Sequence, residues 1–286
     1  MSISHSVFVT GGTGNIGSAI VQELIAHSYQ VKGLCKTAQS AHKATQLGAT
    51  AVMGSLCEPQ SWLSTLADCR AIIHTACTFD AQMGETDAAL MRAIADQAMT
   101  RSTPLIVIYT AGCWTYGSHD AVITETTPKY SVADFRWMLD NQAWLRDKEN
   151  IDLRVVSPAN VVREEEHYLP PILSWELQRC GHPVLPQGEA QTWSLVERKN
   201  LAELYRLVLE RGKSGEEYIG SAEHRAPLAS LLRQLSEQPI ECGQAALWAE
   251  QYGSWTEGYA LQQVFSSEKA MRELGWQPRL FLPPSV

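Results

Sequence analysis

The 286-residue sequence has no excess of basic residues and no long apolar run. Its 23 lysines and arginines are outnumbered by 31 aspartates and glutamates, which gives a formal net charge of −8. Proteins that bind nucleic acid concentrate lysine and arginine against the phosphate backbone, so this balance argues against a nucleic-acid partner. No uncharged apolar stretch reaches the roughly 18 residues of a transmembrane helix, so no membrane partner is expected either.

Paired cysteine motifs are also absent. The seven cysteines are odd in number and none belongs to a CxxC pair, which disfavours a disulfide framework and a zinc site. The first residues enter a strand pattern directly, without the charged and apolar regions of a signal peptide. The run EEEH, from Glu164 to His167, has metal-capable atoms, but a charge run in a proline-rich loop is typical of a solvated segment. We therefore expect a cytoplasmic protein without a bound metal.

Short apolar runs alternate with helical patterns through the first half of the chain. Apolar residues recur on one face from Ile16 to His27 and again from Asp87 to Ala98, as in amphipathic helices. Strands separated by helices predict an α/β fold with a doubly wound parallel sheet covered on both faces. The predicted strands are Val7 to Thr10, Gln30 to Cys35, Ala51 to Met53, Ala71 to Thr75, Leu105 to Thr110 and Leu153 to Val156.

A glycine-rich turn joins the first predicted strand to the first helix, in the segment VFVTGGTGNIGSAI. One glycine permits the tight turn, one lets the backbone approach a pyrophosphate, and one allows the helix to pack closely on the strand. The helix N-terminus then presents free N–H groups and a positive dipole to the phosphates. The strand, turn and helix together predict dinucleotide binding of the Rossmann type. The predicted cofactor-binding residues of this turn are Gly11, Thr13, Gly14, Asn15, Ile16 and Gly17.

The pattern changes after about Ser157, where prolines cluster and helical stretches such as Leu201 to Arg211 and Leu228 to Gln238 are separated by irregular segments. Open α/β sheets bind ligands beyond the carboxyl ends of their strands, and a smaller lobe placed there closes the site. We therefore predict a dinucleotide-binding domain at 1–156 and a smaller C-terminal α/β substrate-binding lobe at 157–286, interleaved with the edge of the sheet.

Five motifs carry a family resemblance along nearly the whole chain. The turn TGGTGNIG resembles TGxxGxxG, and GSL at 54–56 and IIHTA at 72–76 look like the family's GDL and fourth-strand segments. VVSPANV at 155–161 is similar to its RPxxV segment, and ELGWQP at 273–278 to its closing motif. Together they identify the chain as similar to the extended and atypical short-chain dehydrogenase/reductase families, the relatives of nucleotide-sugar epimerases and dihydroflavonol reductases.

The resemblance implies positions for the rest of the cofactor. Ser55 and Leu56 would flank the adenine, Thr75 and Ala76 would line the inner ribose, and Pro158 would approach the nicotinamide. It also implies a small-molecule substrate and pairing of relatives as homodimers through the helices that follow the fourth and fifth strands.

The end of the second predicted strand bears on the choice between NADP and NAD. An acidic residue there binds the ribose 2′-hydroxyl of NAD, whereas a cation accommodates the 2′-phosphate of NADP. This chain has Cys35 and Lys36 and no acid. A lysine provides a point charge for phosphate, so the sequence favours NADP(H), with NAD and a solvated lysine as the alternative.

The resemblance breaks down at the catalytic positions. Family members carry a serine or threonine after the fifth strand and a YxxxK motif in the next helix. Aligning TAGCWTYG with the family places Gly112 at the serine position, and the helical segment SVADFRWMLDNQAWL has neither tyrosine nor lysine. Tyr130 is followed four residues later by Asp134, and an aspartate raises a tyrosine pKa where lysine lowers it. The usual Ser-Tyr-Lys triad is therefore expected to be absent.

Three residues are candidate replacements. Thr110 at the strand end would orient a carbonyl, and Tyr116 or Tyr130 would donate a proton. Each has a structural alternative, because a strand threonine is a common β former and a tyrosine is usually a packing residue. Cys113 and Arg136 are weaker candidates, since unpaired cysteines are mostly inert and helix arginines mostly solvated.

Tryptophans are expected at the substrate cleft and its cover, at positions 114, 137, 144, 175 and 193. Aromatic lining suits an aromatic or apolar substrate better than a sugar nucleotide, whose pyrophosphate requires cations. His74 is interpreted as a hydrogen-bonded core histidine. Two hypotheses remain open: an NADP(H)-dependent oxidoreductase acting on a small carbonyl or alcohol, and a non-catalytic NADP(H)-binding redox sensor.

Overall fold

A parallel sheet of seven strands forms the centre of the computed structural model, which describes residues 5–163, 171–233 and 236–279. Its strands are β1 (Ser6–Thr10), β2 (Gln30–Cys35), β3 (Thr50–Met53), β4 (Ala71–His74), β5 (Leu105–Thr110), β6 (Ile151–Pro158) and β10 (Glu217–Gly220). Their spatial order is β3-β2-β1-β4-β5-β6-β10. The order reverses between β1 and β4, and open α/β sheets bind ligands at such a switch point.

Helices cover both faces of the sheet. On one face lie α1 (Asn15–Ala26), α2 (Ala38–Gln46) and α6 (Arg198–Arg211), whose apolar side chains share one buried cluster with β1 and β2. On the other face lie α3 (Met83–Ala98) and α4 (Arg136–Arg146), which form a second cluster with β4, β5 and Trp62. The alternation of buried strands and amphipathic helices produces this layering, because each helix buries one apolar stripe.

The C-terminal half returns to the central sheet. Strand β10 pairs in parallel with β6, with Glu217 opposite Val155, and α6 packs against α1. The ion pair between Arg206 and Glu23, with Nε and Oε1 2.7 Å apart, lies at the contact of these two helices. The edge strand beyond β6 therefore comes from the second half of the chain, since β10 begins at Glu217, more than fifty residues after β6 ends at Pro158.

The remaining elements lie beyond the carboxyl ends of the strands. Strands β7 (Asn160–Val162), β9 (Thr192–Glu197) and β11 (Glu223–Pro227) form one small sheet, and β8 (Val184–Leu185) pairs with β12 (Glu241–Cys242). The helices here are α5 (Pro171–Cys180), α7 (Leu228–Leu232) and α8 (Ala245–Tyr252). Helix α9 (Glu268–Leu274) instead packs against β10 and α6. A third apolar cluster, which includes Trp193, Trp248 and Tyr259, holds part of this region together.

The predicted fold class, a doubly wound parallel sheet, is confirmed by the strand order and by the helices on both faces. The helix expected from Leu228 to Gln238 is found at Leu228–Leu232, and residues 234–235 lie outside the described residues. The EEEH run at 164–167 also lies outside them. No helix in the described ranges has the length and apolar character required to span a bilayer.

Candidate functional site

The glycine turn between β1 and α1 leaves no room for side chains at two positions. Gly11 has a φ of 70°, and a β-carbon there would lie 2.8 Å from the Thr75 hydroxyl oxygen. A β-carbon on Gly17 would lie 2.2 Å from the carbonyl oxygen of Gly11. Helix α1 begins at Asn15, and no side chain of the described residues caps its N-terminus. Such an uncapped helix end with a close backbone approach fits the diphosphate of a dinucleotide.

The other predicted cofactor residues lie at the same edge of the sheet. The Thr75 hydroxyl donates to the carbonyl of Thr10 at 2.8 Å, which fixes the end of β4 beside the glycine turn. Ser55 follows β3, and its carbonyl accepts a hydrogen bond from the Trp62 indole at 2.9 Å. Leu56 and Ala76 are partly exposed, as a binding surface requires.

Two cations that the sequence patterns did not single out contact the glycine turn. The ammonium of Lys43, on α2, donates to the carbonyl of Thr13 at 2.6 Å. The guanidinium Nε of Arg163 donates to the side-chain oxygen of Asn15 at 2.9 Å. Lys36 is exposed directly after β2. Two cations therefore contact the turn, and neither of them was visible from its place in a motif.

A cavity of about 300 Å³, the inner chamber, opens beside the turn. Asn15 and Ile16 line it from the turn, residues 111–115 from the segment after β5, and residues 158–161 from the end of β6. The predicted nicotinamide neighbour Pro158 is thus in the same cavity as the turn residues. The volume lies at the lower end of the range for small-molecule sites.

Aromatic rings form the wall of the inner chamber opposite the turn. The ring of Trp114 lies 4.7 Å from that of Tyr259, 5.5 Å from Phe135 and 6.2 Å from Trp255, measured between centroids. A β-carbon on Gly258 would lie 2.2 Å from the Trp114 ring, so glycine lets the backbone of a C-terminal turn lie directly on the indole. Trp114 therefore joins the aromatic cluster of the C-terminal region to the end of β5.

Gly112, which the resemblance aligns with the family's serine, and the start of α4 line this chamber with apolar atoms. Gly112 is extended, with φ −139°, and an added β-carbon would meet no atom within 4 Å. Phe135 and Met138 line the chamber at the start of α4, a helix whose sequence has neither tyrosine nor lysine. A side chain on residue 112, the position that the resemblance assigns to the serine, would therefore have free space around it.

None of the three predicted catalytic residues is among the described residues that line the inner chamber. The Thr110 hydroxyl lies 2.7 Å from that of Tyr205. The buried Tyr116 hydroxyl donates to Glu217 at 2.8 Å, and burial together with this carboxylate raises the pKa of Tyr116 well above its ordinary value. Tyr130 is 67% exposed.

The two weaker candidates are placed differently. Cys113 lines the inner chamber, but burial raises the pKa of its thiol to about 12, which disfavours the reactive thiolate. Arg136, the first residue of α4, is exposed and is not among the described lining residues.

His74 belongs to a buried polar network below the site. Its Nδ1 lies 2.8 Å from the Thr10 hydroxyl, and its Nε2 lies 2.7 Å from the Asp87 carboxylate. The other oxygen of Asp87 accepts from the Tyr109 hydroxyl at 2.7 Å and from the Asn141 amide at 2.8 Å. Three strands and two helices are joined through these bonds, in agreement with the interpretation of His74 as a core histidine.

A second cavity of about 540 Å³, the outer chamber, adjoins the first. Residues 79–81 and 83–85, from the loop and first turn of α3, line it together with residues 253–255. Asp134, Phe135 and Trp137 line it from the start of α4. Phe79, Phe135 and Trp255 line both chambers. The two cavities are therefore neighbours that share aromatic walls.

Residues 11–169 match the sequence model of a family described as NAD(P)H-binding. Uncharacterized protein YLL056C of Saccharomyces cerevisiae is 25% identical over 283 residues, which cover 96% of this chain and 94% of the relative. The sterol-4-alpha-carboxylate 3-dehydrogenase, decarboxylating, of Dictyostelium discoideum is 30% identical over 148 residues, 48% of this chain and 45% of that enzyme. The crystal structure of UDP-glucose 4-epimerase from Thermotoga maritima with UDP-glucose superposes with a TM-score of 0.77 at 16% identity, over 96% of this chain and 94% of that one.

Proposed function

The chain belongs to the NAD(P)H-binding family, an epimerase/dehydratase-like branch of the short-chain dehydrogenase/reductases, and from this premise we propose that it is an NADP(H)-dependent oxidoreductase. The substrate we propose is a small apolar or aromatic carbonyl compound or alcohol. The inner chamber carries the proposal, because it places turn residues Asn15 and Ile16, the segment after β5, and Pro158 around one cavity. A cofactor held by the turn and a substrate in that cavity would be in contact.

The residues at the glycine turn fit a nicotinamide dinucleotide. Gly11 and Gly17 keep the backbone clear, and the uncapped end of α1 supplies N–H groups for the diphosphate. Ser55 and Leu56 would flank the adenine, Thr75 and Ala76 the inner ribose, and Pro158 the nicotinamide. When bound in reduced form, the cofactor supplies the hydride that, together with a proton, converts a carbonyl into an alcohol.

The preference for the phosphorylated cofactor rests on Lys36 and Lys43. Lys36 is exposed after β2, where an NAD-specific protein has an acid, and Lys43 reaches the backbone of Thr13 in the turn. Lys36 follows the end of β2, and Lys43 belongs to α2, the next helix of the chain. A 2′-phosphate placed there gains charge-assisted hydrogen bonds that the hydroxyl of NAD does not.

The substrate class follows from the wall of the inner chamber. Trp114, Phe135, Trp255 and Tyr259 present ring surfaces, and no lysine or arginine lines this chamber in the described parts of the chain. Apolar ring surfaces gain by burying apolar substrate atoms and offer nothing to a phosphate. The partial match to a dehydrogenase named for a sterol substrate supports an apolar molecule.

The proposed division of labour assigns residues 1–156 to the cofactor and residues 157–286 mainly to the substrate. Trp255 and Tyr259, from the second half, form much of the chamber wall, whereas the glycine turn belongs to the first. Strand β10 and α6 are the interleaved part of the second half, since they complete the sheet.

Helix α4 contains neither tyrosine nor lysine, so it provides no Tyr-Lys pair for proton transfer. Thr110, Tyr116 and Tyr130 remain predicted catalytic residues. Because the Tyr116 hydroxyl already donates to Glu217, we propose that the proton comes from water or from the substrate itself. Positioning beside the nicotinamide then contributes the larger part of the rate, because correct orientation removes much of the entropic barrier.

Two measurements test the proposal. Titration with NADPH and with NADH, followed by tryptophan fluorescence, reports binding, because Trp114 and Trp255 line the inner chamber. The absorbance of the reduced nicotinamide, followed with a panel of aromatic and aliphatic ketones and aldehydes, reports turnover. We expect tighter binding of NADPH and consumption with the aromatic members; failure to bind either coenzyme would contradict the proposal.

The second candidate function is a non-catalytic NADP(H) sensor. The apolar lining at Gly112, Phe135 and Met138, together with the lack of tyrosine and lysine on α4, favours it. Tight binding of NADPH without consumption by any member of the panel would support the sensor over the enzyme.

A further inference from the structure

Phe79 combines two unfavourable features at the edge of the site. Its side chain is 73% exposed, and its backbone has a φ of 52°, in the left-handed region that bulky residues rarely adopt. Apolar exposure and backbone strain both oppose folding, and strain of this kind concentrates where a ligand is held. The conformation places Phe79 on the boundary of both chambers.

The boundary between the chambers consists of three shared residues, Phe79, Phe135 and Trp255. Phe135 is buried at the start of α4, and Trp255 belongs to the C-terminal turn at 254–260. The three come from separate parts of the fold. A ligand that extends from one chamber into the other passes between aromatic side chains, a passage that suits a flat molecule.

The outer chamber is built by specific contacts. A β-carbon on Gly84 would lie 2.9 Å from the Trp137 ring, so the first turn of α3 packs directly on that indole. The Trp137 indole N–H donates to the carbonyl of Asp134 at 2.8 Å, and the Ser254 hydroxyl donates to the Asp134 carboxylate at 2.5 Å. These contacts fix α3, α4 and the C-terminal turn around the cavity.

The charged side chains that line the outer chamber are all acidic in the described part of the chain. Asp80, Glu85 and Asp134 line it, and no lysine or arginine lines either chamber within residues 5–163, 171–233 and 236–279. Asp80 accepts from the Thr78 hydroxyl and from the backbone N–H of Gln82, so it also shapes the loop. An anionic group brought into this cavity would be repelled by carboxylates and would find no cation to bind.

We propose that the outer chamber is a second substrate subsite, that the substrate is an elongated, flat and uncharged molecule spanning both chambers, and that Phe79 determines this specificity. The proposal rests on the proposed function and names the substrate class for it. The reacting carbonyl occupies the inner chamber, and the far end of the same molecule occupies the outer one. Anionic substrates, such as the nucleotide diphosphate sugar bound by the structurally similar epimerase, are excluded.

Three ketones of graded length and charge test the proposal: acetophenone, para-acetylbiphenyl, and para-acetylbiphenyl bearing a carboxylate on its far ring. Binding is measured by quenching of tryptophan fluorescence in the presence of NADP⁺, and turnover by consumption of NADPH. We expect para-acetylbiphenyl to bind about tenfold more tightly than acetophenone, since the second ring buries apolar surface. The carboxylate should bind about tenfold more weakly than its neutral parent.

Variants assign these effects to the named residues. Phe79→Ala should reduce the preference for the longer neutral ketone about fivefold, whereas Met99→Ala, at an exposed apolar residue that follows α3, should not change it. The double variant Glu85→Gln with Asp134→Asn should improve binding of the carboxylate about fivefold. Glu149→Gln, at an exposed residue outside both chambers, is its matched control.

Equal affinities for acetophenone and para-acetylbiphenyl, or equal affinities for the neutral and anionic biphenyls, would overturn the subsite. That result, together with NADPH consumption by acetophenone, would leave the proposed function intact. Absence of turnover with all three ketones would instead count against the oxidoreductase, and the binding comparison would still decide the length and charge preference of the two chambers.

Discussion

The carbonyl oxygen of Gly11 occupies the space in which a side chain on residue 17 would begin, with 2.2 Å between that oxygen and an ideal β-carbon. The two glycines lie on opposite sides of the turn, one directly after β1 and one in the first turn of α1. Their contact brings the helix end close to the strand. The free N–H groups at the start of α1 thereby lie at the carboxyl edge of the sheet, where a diphosphate is held.

Gly17→Ala should abolish detectable NADPH binding and lower the free energy of unfolding by about 1–3 kcal/mol, because the methyl group forces α1 away from the strand. Fluorescence titration and urea unfolding measure the two effects. Gly112→Ala is the matched control for stability, since a β-carbon there meets no atom within 4 Å. Unchanged NADPH affinity in Gly17→Ala would remove the turn from the cofactor site.

Lys43→Gln should weaken NADPH binding about tenfold and NADH binding less than twofold, because the lost charge acts on the 2′-phosphate. Lys36→Asp should shift the preference further toward NADH. Lys148→Gln, beyond the end of α4 with its ammonium over the Trp144 ring, is the control. Equal losses for both coenzymes would contradict the assignment of NADP(H).

Gly112→Ser restores a hydroxyl at the position where the family carries one. The residue is extended and has open space around its missing side chain, so the fold should tolerate the change within about 0.5 kcal/mol. A hydroxyl that donates to a substrate carbonyl should raise kcat/KM for aromatic ketones about tenfold. Gly112→Ala fills similar space without a donor, and an equal response of both variants would show that the hydroxyl has no catalytic effect.

The free energy of unfolding should decrease above about pH 10, the pKa of tyrosine in an unfolded chain. Burial raises the pKa values of Tyr109, Tyr116 and Tyr205 in the folded state, so the folded chain retains protons that the unfolded chain releases. The stabilisation is complete below that pH and is lost as pH rises, at about 1.4 kcal/mol per pH unit for each tyrosine.

Urea unfolding at about pH 8 and about pH 11 measures this slope. Tyr205→Phe should reduce the slope, since it removes one of the buried phenols whose pKa is raised. Tyr130→Phe, at a tyrosine that is 67% exposed, should leave it unchanged. A slope that Tyr205→Phe does not alter would place the alkaline sensitivity elsewhere.

The first six strands of the sheet and the glycine turn were predictable because they depend on local patterns. Strands β1 to β6 appear as short apolar runs, and α1 as an apolar stripe after glycines, so each element is encoded within a few residues. The glycine at the position that the resemblance assigns to the serine was equally visible, since Gly112 lies two residues after β5. Such features need no knowledge of distant contacts.

The side-chain contacts of the site were less predictable from the sequence, because they join segments that are distant in the chain. Lys43 reaches Thr13 from another helix, and Arg163 reaches Asn15 across 148 positions of the chain. The Tyr116 hydroxyl donates to Glu217, 101 residues later in the chain. The residue types show that these side chains are able to take part in binding or catalysis, but the fold determines which groups they contact.

Because β10 pairs with β6 and α6 packs on α1, the second half of the chain cannot simply be exchanged between relatives. A fragment ending at residue 156 would leave β6 as an open edge and the apolar stripe of α1 without its partner helix, so it should aggregate. Exchanging substrate recognition between relatives therefore requires crossover points that keep β10 and α6 with their own sheet. Chimeras that replace only the loops bordering the two chambers meet that requirement.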